Sequence, residues 1–378
     1  MGAYFYLVSV IATESLMEEI MKDLITEKEK LILPSDEHLL YSGRIDDANQ
    51  EKPCFIYAGS SITFRFIGSM VKIILNNQHC CYNNYIGYVV DGKTMGKSII
   101  TQHGVDHIIP LVEGLENKEH EIVIYKRQDA AHFFDLLGIV LDKDAVLLER
   151  PRCPKRRMEV YGDSVSCGEV SEAIDYVGKS DPDNHNGDYS NSWYSYAFIT
   201  ARNLNASLHA SAQGGLALLD KTGWFHGPDY VGLLTTYDKL KYNTQIEPYT
   251  KWDFKRYTPH VVLVAIGQND ANPENYMGIN KEKSSYWKTQ YEEFLQKMRR
   301  IYPNALFILT TTILNHEKAW DDAIEEVCRR MGDPKIVHFL YTKNGCGTPG
   351  HIRISEAETM AEELTAYINS FGESIWEG

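Results

Sequence analysis

The sequence predicts an α/β domain with a parallel sheet, preceded by an all-β sandwich of the jelly-roll type. Two observations carry this prediction. Residues 39–150 contain many short β-like runs, separated by turn residues and without helical periodicity, which is typical of an antiparallel sandwich. In residues 151–378, apolar strands alternate with amphipathic helices, as expected for a parallel sheet that is covered on both faces.

Residues 1–38 precede both domains and predict a short strand followed by a helix. The run at residues 3–12 is apolar, but no Lys or Arg precedes it and acidic residues follow it, so we interpret it as a strand and not as a secretion signal. Apolar side chains in residues 15–28 recur at helical spacing. An extension of this kind can pair subunits at a sheet edge, so the sequence leaves a homo-oligomer open.

The predicted sandwich is built from strands that have one buried face. In residues 62–66, three apolar side chains alternate with the polar residues Thr63 and Arg65. Turn residues such as Asp91 and Gly92 separate the runs. The further β-like runs cover residues 71–75, 85–90, 98–100, 121–125 and 136–141.

The predicted α/β domain begins at a proline-containing linker, residues 151–154. Residues 260–266 and 305–314 are continuous apolar runs, typical of strands that are buried on both faces. Ser355 and Glu358 form a capping-box pattern that predicts the start of the last helix. The other predicted strands are residues 158–161, 208–213 and 335–341, and the other predicted helices lie at 192–204, 291–298 and 319–330.

The charge balance and the cysteines exclude several classes of protein. The chain has 38 Lys and Arg against 52 Asp and Glu, a net charge of −14, whereas nucleic acids and anionic membranes attract basic surfaces. No stretch reaches the roughly 18 apolar residues that span a bilayer. The seven cysteines have irregular spacing, so neither a disulfide framework nor a zinc site is expected, and the sequence predicts no metal. Reduced thiols favour a cytoplasmic location, with secretion as the alternative.

Four short polar motifs fall at the carboxyl ends of predicted strands or in the loops that follow, where ligands bind in such a domain. They are Gly-Asp-Ser with Ser164, the pair Gly214 and Gly215, Gly-Gln-Asn-Asp with Asn269, and Gly-His with His351. Each motif is a weak signal alone. Together they place a nucleophile, hydrogen-bond donors and a base at one edge of one sheet.

These residue types fit nucleophilic attack on an ester. A serine hydroxyl becomes a strong nucleophile when a base removes its proton, and His351 is the expected base for Ser164. The resulting oxyanion would be stabilised by the N–H groups of Ser164 and Gly215 and by the side-chain amide of Asn269. Gly214 is the alternative donor at the second motif. We expect glycine at position 215 because a Cβ would crowd the oxyanion.

In this order, the four motifs resemble the four blocks of the SGNH (GDSL-type) hydrolases. The resemblance is closer to carbohydrate esterase family two, whose members carry a jelly-roll domain ahead of the SGNH domain and remove O-acetyl groups from sugars and xylan fragments. It covers most of the chain from about residue 40 onward. It implies a flavodoxin-like hydrolase domain, an acetyl-enzyme on Ser164, acetylated xylan or xylo-oligosaccharides as the substrate partner, and no cofactor.

The chain departs from the family pattern at the last motif. The family's block is Asp-x-x-His-Pro, whereas this chain has Thr348 in place of the Asp and Ile352 in place of the Pro. The resemblance to members with a Ser–His dyad implies that a backbone carbonyl orients His351. The family also often places an aromatic residue against the substrate after the strand at 305–314, which makes Trp320 the candidate substrate-binding residue.

Two other functions stay open on the sequence alone. An SGNH esterase or lipase with a different acyl substrate would carry the same motifs. A non-catalytic carbohydrate-binding protein with a dead hydrolase domain would explain the missing Asp.

Overall fold

The computed structural model describes residues 24–79, 82–225, 229–241 and 250–377. The predicted strand at residues 3–12 and most of the predicted helix at 15–28 lie outside the described residues. Residues 25–28 form a bend and a turn instead of the predicted end of that helix. The first described strand, Glu29–Ile32, pairs antiparallel with the strand His132–Asp142, so the later part of the predicted extension contributes to the sandwich.

The first domain is an antiparallel sandwich of two sheets within the described residues. In one sheet the order is β3-β4-β11-β6-β9 with β1 beside β11, and in the other it is β12-β5-β10-β7-β8 with β2 beside β5. The strands are β1 (Glu29–Ile32), β2 (Leu40–Ser42), β3 (Ile45–Asp46), β4 (Cys54–Phe55), β5 (Ser61–Gly68), β6 (Val71–His79), β7 (Asn84–Val90), β8 (Thr94–Ile100), β9 (Asp106–Val112), β10 (Lys118–Lys126), β11 (His132–Asp142) and β12 (Val146–Leu147).

Strand β5 shows why these residues form a sandwich. Its apolar residues Ile62, Phe64 and Phe66 are buried between the sheets, while Thr63 and Arg65 point to the other face. The same alternation in the facing strands gives an aliphatic and aromatic core that includes Ile73, Ile122 and Ile139. The predicted all-β domain is therefore confirmed.

The second domain is the predicted α/β domain, and its sheet is parallel. The strand order is β14-β13-β17-β18-β19, in which the first strand of the domain lies second in the sheet, as in flavodoxin-like folds. The elements are β13 (Arg156–Gly162), α1 (Ser164–Cys167), α2 (Tyr196–Asn203), β14 (Ala206–Ala212), α3 (Leu233–Thr236), β15 (Lys239–Lys241), β16 (Thr250–Lys251), β17 (Val261–Ala265), α4 (Lys281–Ile301), β18 (Leu306–Thr310), α5 (Lys318–Met331), β19 (Ile336–His338) and α6 (Ile354–Asn369). The predicted boundary between residues 150 and 151 lies between β12 and β13 and stays a prediction.

Helices cover both faces of this sheet, as predicted. Helices α4 and α5 bury Trp287, Phe294 and Ile324 against one face. Helices α2 and α6 bury Tyr196 and Leu364 against the other. No helix in the described ranges is long and apolar enough to cross a membrane.

The last helix begins earlier than predicted. Helix α6 starts at Ile354, and the carboxylate of Glu356 accepts the backbone N–H of Arg353 at 2.8 Å. The capping interaction predicted for Ser355 and Glu358 is therefore wrong by two positions. The reason is that Arg353 is completely buried and its guanidinium is fixed by other residues, which sets the start of the helix from outside the helix itself.

A buried seam joins the two domains. Arg44 of the sandwich is fully buried and forms an ion pair with Glu159 of β13 at 2.7 Å. It also donates to the hydroxyl of Tyr161 at 2.7 Å. Beside this pair, Phe133 of the sandwich packs in one apolar cluster with Trp252 of the α/β domain. The sandwich is thus held in a defined position beside the parallel sheet.

Candidate active site

Ser164 lies directly after β13, at the carboxyl edge of the parallel sheet, and begins the short helix α1. Asp163 caps this helix, because its side chain accepts the N–H of Val165 at 3.0 Å. As the first residue of a helix, Ser164 has a backbone N–H without an intrahelical acceptor. That N–H is free to donate to a ligand, and its role towards an oxyanion stays a prediction.

The second motif follows β14, and the structure distinguishes its two glycines. The N–H of Gly214 donates to Asp129 Oδ2 at 3.0 Å. The N–H of Gly215 has no acceptor within the described ranges. Gly215 is therefore the one of the two that can donate to a ligand.

Glycine at position 215 has a different cause from the one that the sequence suggested. Its φ is +73°, and a Cβ there would lie 2.7 Å from Trp224 Cβ and 2.8 Å from Phe225 N. Phe225 and Trp224 both donate their N–H groups to the Gly215 carbonyl, at 3.2 and 2.8 Å. The close packing of residues 224 and 225 requires the glycine, so the expectation that a Cβ would crowd the oxyanion does not explain it.

Asn269 follows β17 and lies at the same edge of the sheet. Its side-chain amide donates to Asp163 Oδ2 at 3.1 Å and to the Leu216 carbonyl at 3.0 Å. Donation to an oxyanion would replace one of these two bonds. Gln268 also donates to Asp163, at 2.7 Å, so Asp163 braces the first and third motifs together. Burial raises the pKa of Asp163 to about 6, against the opposing effect of these hydrogen bonds.

A carboxylate orients His351, and the expectation of a backbone carbonyl is therefore wrong. His351 Nδ1 lies 2.6 Å from Asp181 Oδ2, and the His351 N–H donates to Asp181 Oδ1 at 2.9 Å. Arg353 donates to the same carboxylate at 2.8 Å. Burial raises the pKa of Asp181, but the hydrogen bonds and charges of His351 and Arg353 outweigh it, and the pKa lies well below its usual range.

The sequence analysis did not identify Asp181, although Gly350, the residue before His351, is related to its position. A Cβ on Gly350 would lie 2.7 Å from the Lys179 carbonyl and 2.8 Å from Asp181 Oδ1. The glycine before His351 thus permits the loop that carries Asp181 to approach the histidine. Thr348 stands where the family pattern has its Asp, and the carboxylate that pairs with His351 comes instead from the loop after the first motif.

The four motifs line one cavity of about 750 Å³. Ser164, Gly215, Asn269 and His351 all contribute to its wall, as predicted from their positions at strand ends. The further lining residues include three carboxylates and several aromatic or aliphatic residues: Asp129, Glu169, Asp181, Tyr82, Ala131, Trp224, Phe225, Leu314 and Pro349.

Trp320 does not line this cavity, so its predicted contact with substrate is wrong. It is completely buried on the inner face of α5, where it packs edge-on against Trp287 and Tyr276. The aromatic residue exposed at the cavity is Trp224, with 65% of its surface accessible. Trp224 lies in the loop after the second motif, which the sequence analysis had not considered for substrate contact.

Glu169 adds a second carboxylate beside the histidine. Its Oε2 lies 3.8 Å from His351 Nε2, the ring nitrogen that Asp181 leaves free. Burial disfavours the imidazolium, but Glu169, Asp181 and Asp163 together outweigh this and raise the pKa of His351 to about 9. The burial of Glu169 raises the pKa of its own carboxyl, against the effect of His351.

The arrangement contains the parts of a serine hydrolase. A nucleophile, an imidazole oriented by a carboxylate, and free backbone donors line one cavity at the carboxyl edge of a flavodoxin-like sheet. Fold and site together resemble those of the SGNH-type hydrolases, with a β-sandwich ahead of the α/β domain.

Comparisons with known proteins confirm the predicted resemblance to family two carbohydrate esterases. Residues 41–151 match the family model described as the carbohydrate esterase 2 N-terminal domain. A cellulase/esterase from Acetivibrio thermocellus is 28% identical over 345 residues, which are 88% of this chain and 39% of that protein. This chain therefore spans well under half of that relative. An acetylxylan esterase / glucomannan deacetylase from Cellvibrio japonicus is 28% identical over 338 residues, 88% of this chain and 89% of the relative.

Solved structures agree with the fold. A family two carbohydrate esterase from Clostridium thermocellum, in complex with cellohexaose, has a TM-score of 0.73 and 27% identity, with 88% of this chain and 98% of that chain covered. A family two carbohydrate esterase from Cellvibrio japonicus has a TM-score of 0.75 with 92% and 98% covered, and at 24% identity it shows the fold alone.

Proposed function

We propose that the protein is a serine esterase that removes O-acetyl groups from carbohydrates, such as acetylated xylan or xylo-oligosaccharides. The observation that carries this proposal is the hydrogen bond between His351 Nδ1 and Asp181, in the cavity that Ser164 also lines. It supplies the catalytic group that the sequence lacked at its usual place. The names of the relatives support carbohydrate deacetylation.

The reaction proceeds through an acetyl-enzyme. His351 Nε2 takes the hydroxyl proton of Ser164 while the serine oxygen attacks the acetyl carbonyl. The N–H groups of Ser164 and Gly215 donate to the oxyanion, and Asn269 joins them by exchanging one of its present bonds. His351 then protonates the departing sugar alcohol. A water molecule, deprotonated by the same histidine, releases acetate and restores Ser164.

Asp181 supports this reaction in two ways. As the acceptor of the Nδ1 proton, it fixes the tautomer in which Nε2 is unprotonated and can accept the proton of Ser164. Its negative charge also stabilises the imidazolium that forms when Ser164 attacks. Arg353, itself completely buried, holds the carboxylate in position.

The sugar part of the substrate lies against Trp224 in this proposal. An exposed indole ring at the rim of a catalytic cavity offers a flat apolar face, and such a face packs against the C–H face of a sugar ring. Trp224 takes the role that the sequence analysis gave to Trp320.

The non-catalytic alternative loses its main support. It depended on the missing Asp of the last motif, whereas Asp181 supplies a carboxylate 2.6 Å from His351 Nδ1. The other alternative, an esterase with a different acyl substrate, is tested by comparing the rates of hydrolysis of acetyl and octanoyl esters. The proposed function predicts a clear preference for acetyl.

Replacement of the nucleophile tests the proposed function directly. We expect the purified protein to hydrolyse 4-nitrophenyl acetate, and Ser164→Ala to lower kcat/KM by at least about 1,000-fold, since the nucleophile and base act as a unit. The matched control is Ser355→Ala, a serine in α6 outside the cavity, which we expect to retain wild-type activity. Equal and slow rates for wild type and Ser164→Ala would contradict the esterase function. Acetate release from acetylated xylo-oligosaccharides then tests the substrate class.

A further inference from the structure

One carboxylate of the sandwich domain reaches the loop that carries the proposed oxyanion donor. Asp129 lies between β10 and β11, and its Oδ2 accepts the Gly214 N–H at 3.0 Å. The same oxygen accepts the side-chain amide of Gln213 at 2.5 Å. Gln213 and Gly214 directly precede Gly215 in the chain. The position of the Gly215 N–H therefore depends on a residue from the other domain.

The second oxygen of Asp129 is fixed within the sandwich. Oδ1 accepts the N–H of Ala131 at 3.1 Å and lies 2.9 Å from His132 Nδ1. His132 Nε2 accepts the backbone N–H of Tyr82 at 3.2 Å, so the ring proton is on Nδ1 and is donated to Asp129. Both oxygens of one carboxylate are thus engaged, one in each domain.

The turn that carries Asp129 is itself anchored. Lys126 is completely buried, and its Nζ donates to the carbonyls of Gln128 and Asp129. The side chain of Asp129 is only 14% exposed. The carboxylate has little freedom to leave Gly214, because its own backbone and both its oxygens are restrained.

We propose that the sandwich domain is part of the catalytic apparatus, with Asp129 as a positioning residue that holds residues 213–215 so that the Gly215 N–H faces the oxyanion. The inference rests on the proposed function, since the donor role of Gly215 belongs to it. Asp129 acts through this loop and does not contact the reacting atoms. The catalytic centre is then shared between the domains, and the sandwich has a role besides binding or packing.

Two variants of Asp129 and one control test this proposal. Asp129→Ala removes both bonds to the loop, and Asp129→Asn keeps the shape but loses one of the two charged oxygens. Displacement of an oxyanion donor lowers the rate of the chemical step, so we expect kcat on 4-nitrophenyl acetate to fall by about ten- to hundredfold in Asp129→Ala, with KM changed by less than about threefold. Asp129→Asn is expected between this variant and wild type. The control is Asp135→Asn, in the same domain, whose carboxylate pairs with Lys52 at 3.3 Å outside the cavity.

Two further readouts separate positioning from general stability. Hydrogen–deuterium exchange of a peptide that covers residues 213–218 should accelerate in Asp129→Ala, while exchange in α4 stays unchanged. Inhibition by a boronic acid, whose adduct on Ser164 places an oxygen at the oxyanion position, should weaken in parallel with kcat.

The outcomes of these experiments distinguish a failure of the positioning role of Asp129 from a failure of the proposed esterase function. A folded Asp129→Ala with kcat within twofold of wild type, or with unchanged exchange at 213–218, overturns it. If Asp129→Ala does not fold, Asp129→Asn is judged by the same two criteria. If the wild type has no more activity than Ser164→Ala, the proposed function fails, and the exchange experiment alone decides whether Asp129 braces the loop.

Discussion

At the scale of single residues, the carboxylates around His351 determine the pH range in which it can act as the proposed base. Burial opposes the imidazolium, but Glu169, Asp181 and Asp163 raise its pKa to about 9. A general base acts in its neutral form, so activity should rise with pH through about 9 and be lost as the pH falls below it. We expect kcat/KM for xylose tetraacetate, measured by acetate release, to reach half its maximum near this pH.

Glu169→Gln should move this midpoint to lower pH. The Glu169 carboxylate lies 3.8 Å from His351 Nε2, whereas Asp181 and Arg353 face the opposite side of the ring and remain in place. Removal of one nearby charge lowers a pKa by about one unit at this distance. Glu362→Gln, an exposed residue of α6, changes the net charge equally and should leave the midpoint unchanged. An unmoved midpoint in Glu169→Gln would show that its charge does not act on the histidine.

The residues that the sequence analysis missed depend on contacts between distant parts of the chain. Asp181 and His351 are 170 positions apart, and only the folded loop brings them together. For Trp320, the sequence predicted a contact with substrate that the fold does not allow. It follows a strand end at the right distance along the chain, but it shares the buried face of α5 with Ile324 and Val327, so helix packing takes it into the core.

At the scale of elements, the backbone geometry of the loop at residues 214–225 determines the position of the proposed oxyanion donor, Gly215. Gly215→Ala would place a Cβ 2.7 Å from Trp224 Cβ at a φ of +73°. We expect this substitution to displace the donor N–H and lower kcat/KM by about tenfold or more, measured on 4-nitrophenyl acetate. Gly92→Ala is the matched control: its φ is +64°, but a Cβ there meets nothing within 4 Å. It tests the backbone strain alone, about 1–2 kcal/mol, and should leave the rate unchanged.

The sequence could predict that the motifs lie close together, because parallel pairing places the carboxyl ends of the strands at one edge of the sheet. Strands β13, β14 and β17 are neighbours in the sheet, and the motifs that follow them line one cavity. The ends of other elements could not be predicted from local patterns. Within the run at 305–314 the strand β18 ends at Thr310, and the start of α6 is fixed by Arg353, whose partner Asp181 is remote in sequence.

At the scale of the whole molecule, polar contacts between the domains were the feature hardest to predict. Alternating hydrophobicity identified the sandwich, and strand–helix alternation identified the α/β domain, because each pattern is local. Arg44 and Asp129 lie in irregular segments of the sandwich and carry no periodicity. Their partners, Glu159 and Gly214, belong to the other domain, so their roles emerge only when the two domains meet.

The buried ion pair at this seam leads to a prediction about stability. Arg44→Met would leave Glu159 completely buried without its cation, although the hydroxyl of Tyr161 still donates to it. Breaking a buried pair on one side costs about 3–5 kcal/mol, so we expect a decrease of this size in the free energy of unfolding, measured by urea denaturation. Because Arg44 joins the domains, the catalytic rate of the folded variant should also fall, through loss of the alignment between Asp129 and Gly214.

Two comparisons test whether the burial of the ion pair causes the decrease in stability that we expect for Arg44→Met. Arg65→Met removes an ion pair with Glu119 whose side chains are 36% and 55% exposed, and it should lower the free energy of unfolding much less than Arg44→Met does. Arg44→Met combined with Glu159→Gln removes both charges and should recover part of the loss, since a buried amide is less costly than an unpaired carboxylate. If Arg44→Met is no more destabilising than Arg65→Met, the seam does not hold the sandwich against the catalytic domain. The positioning of residues 213–215 would then depend on Asp129 alone.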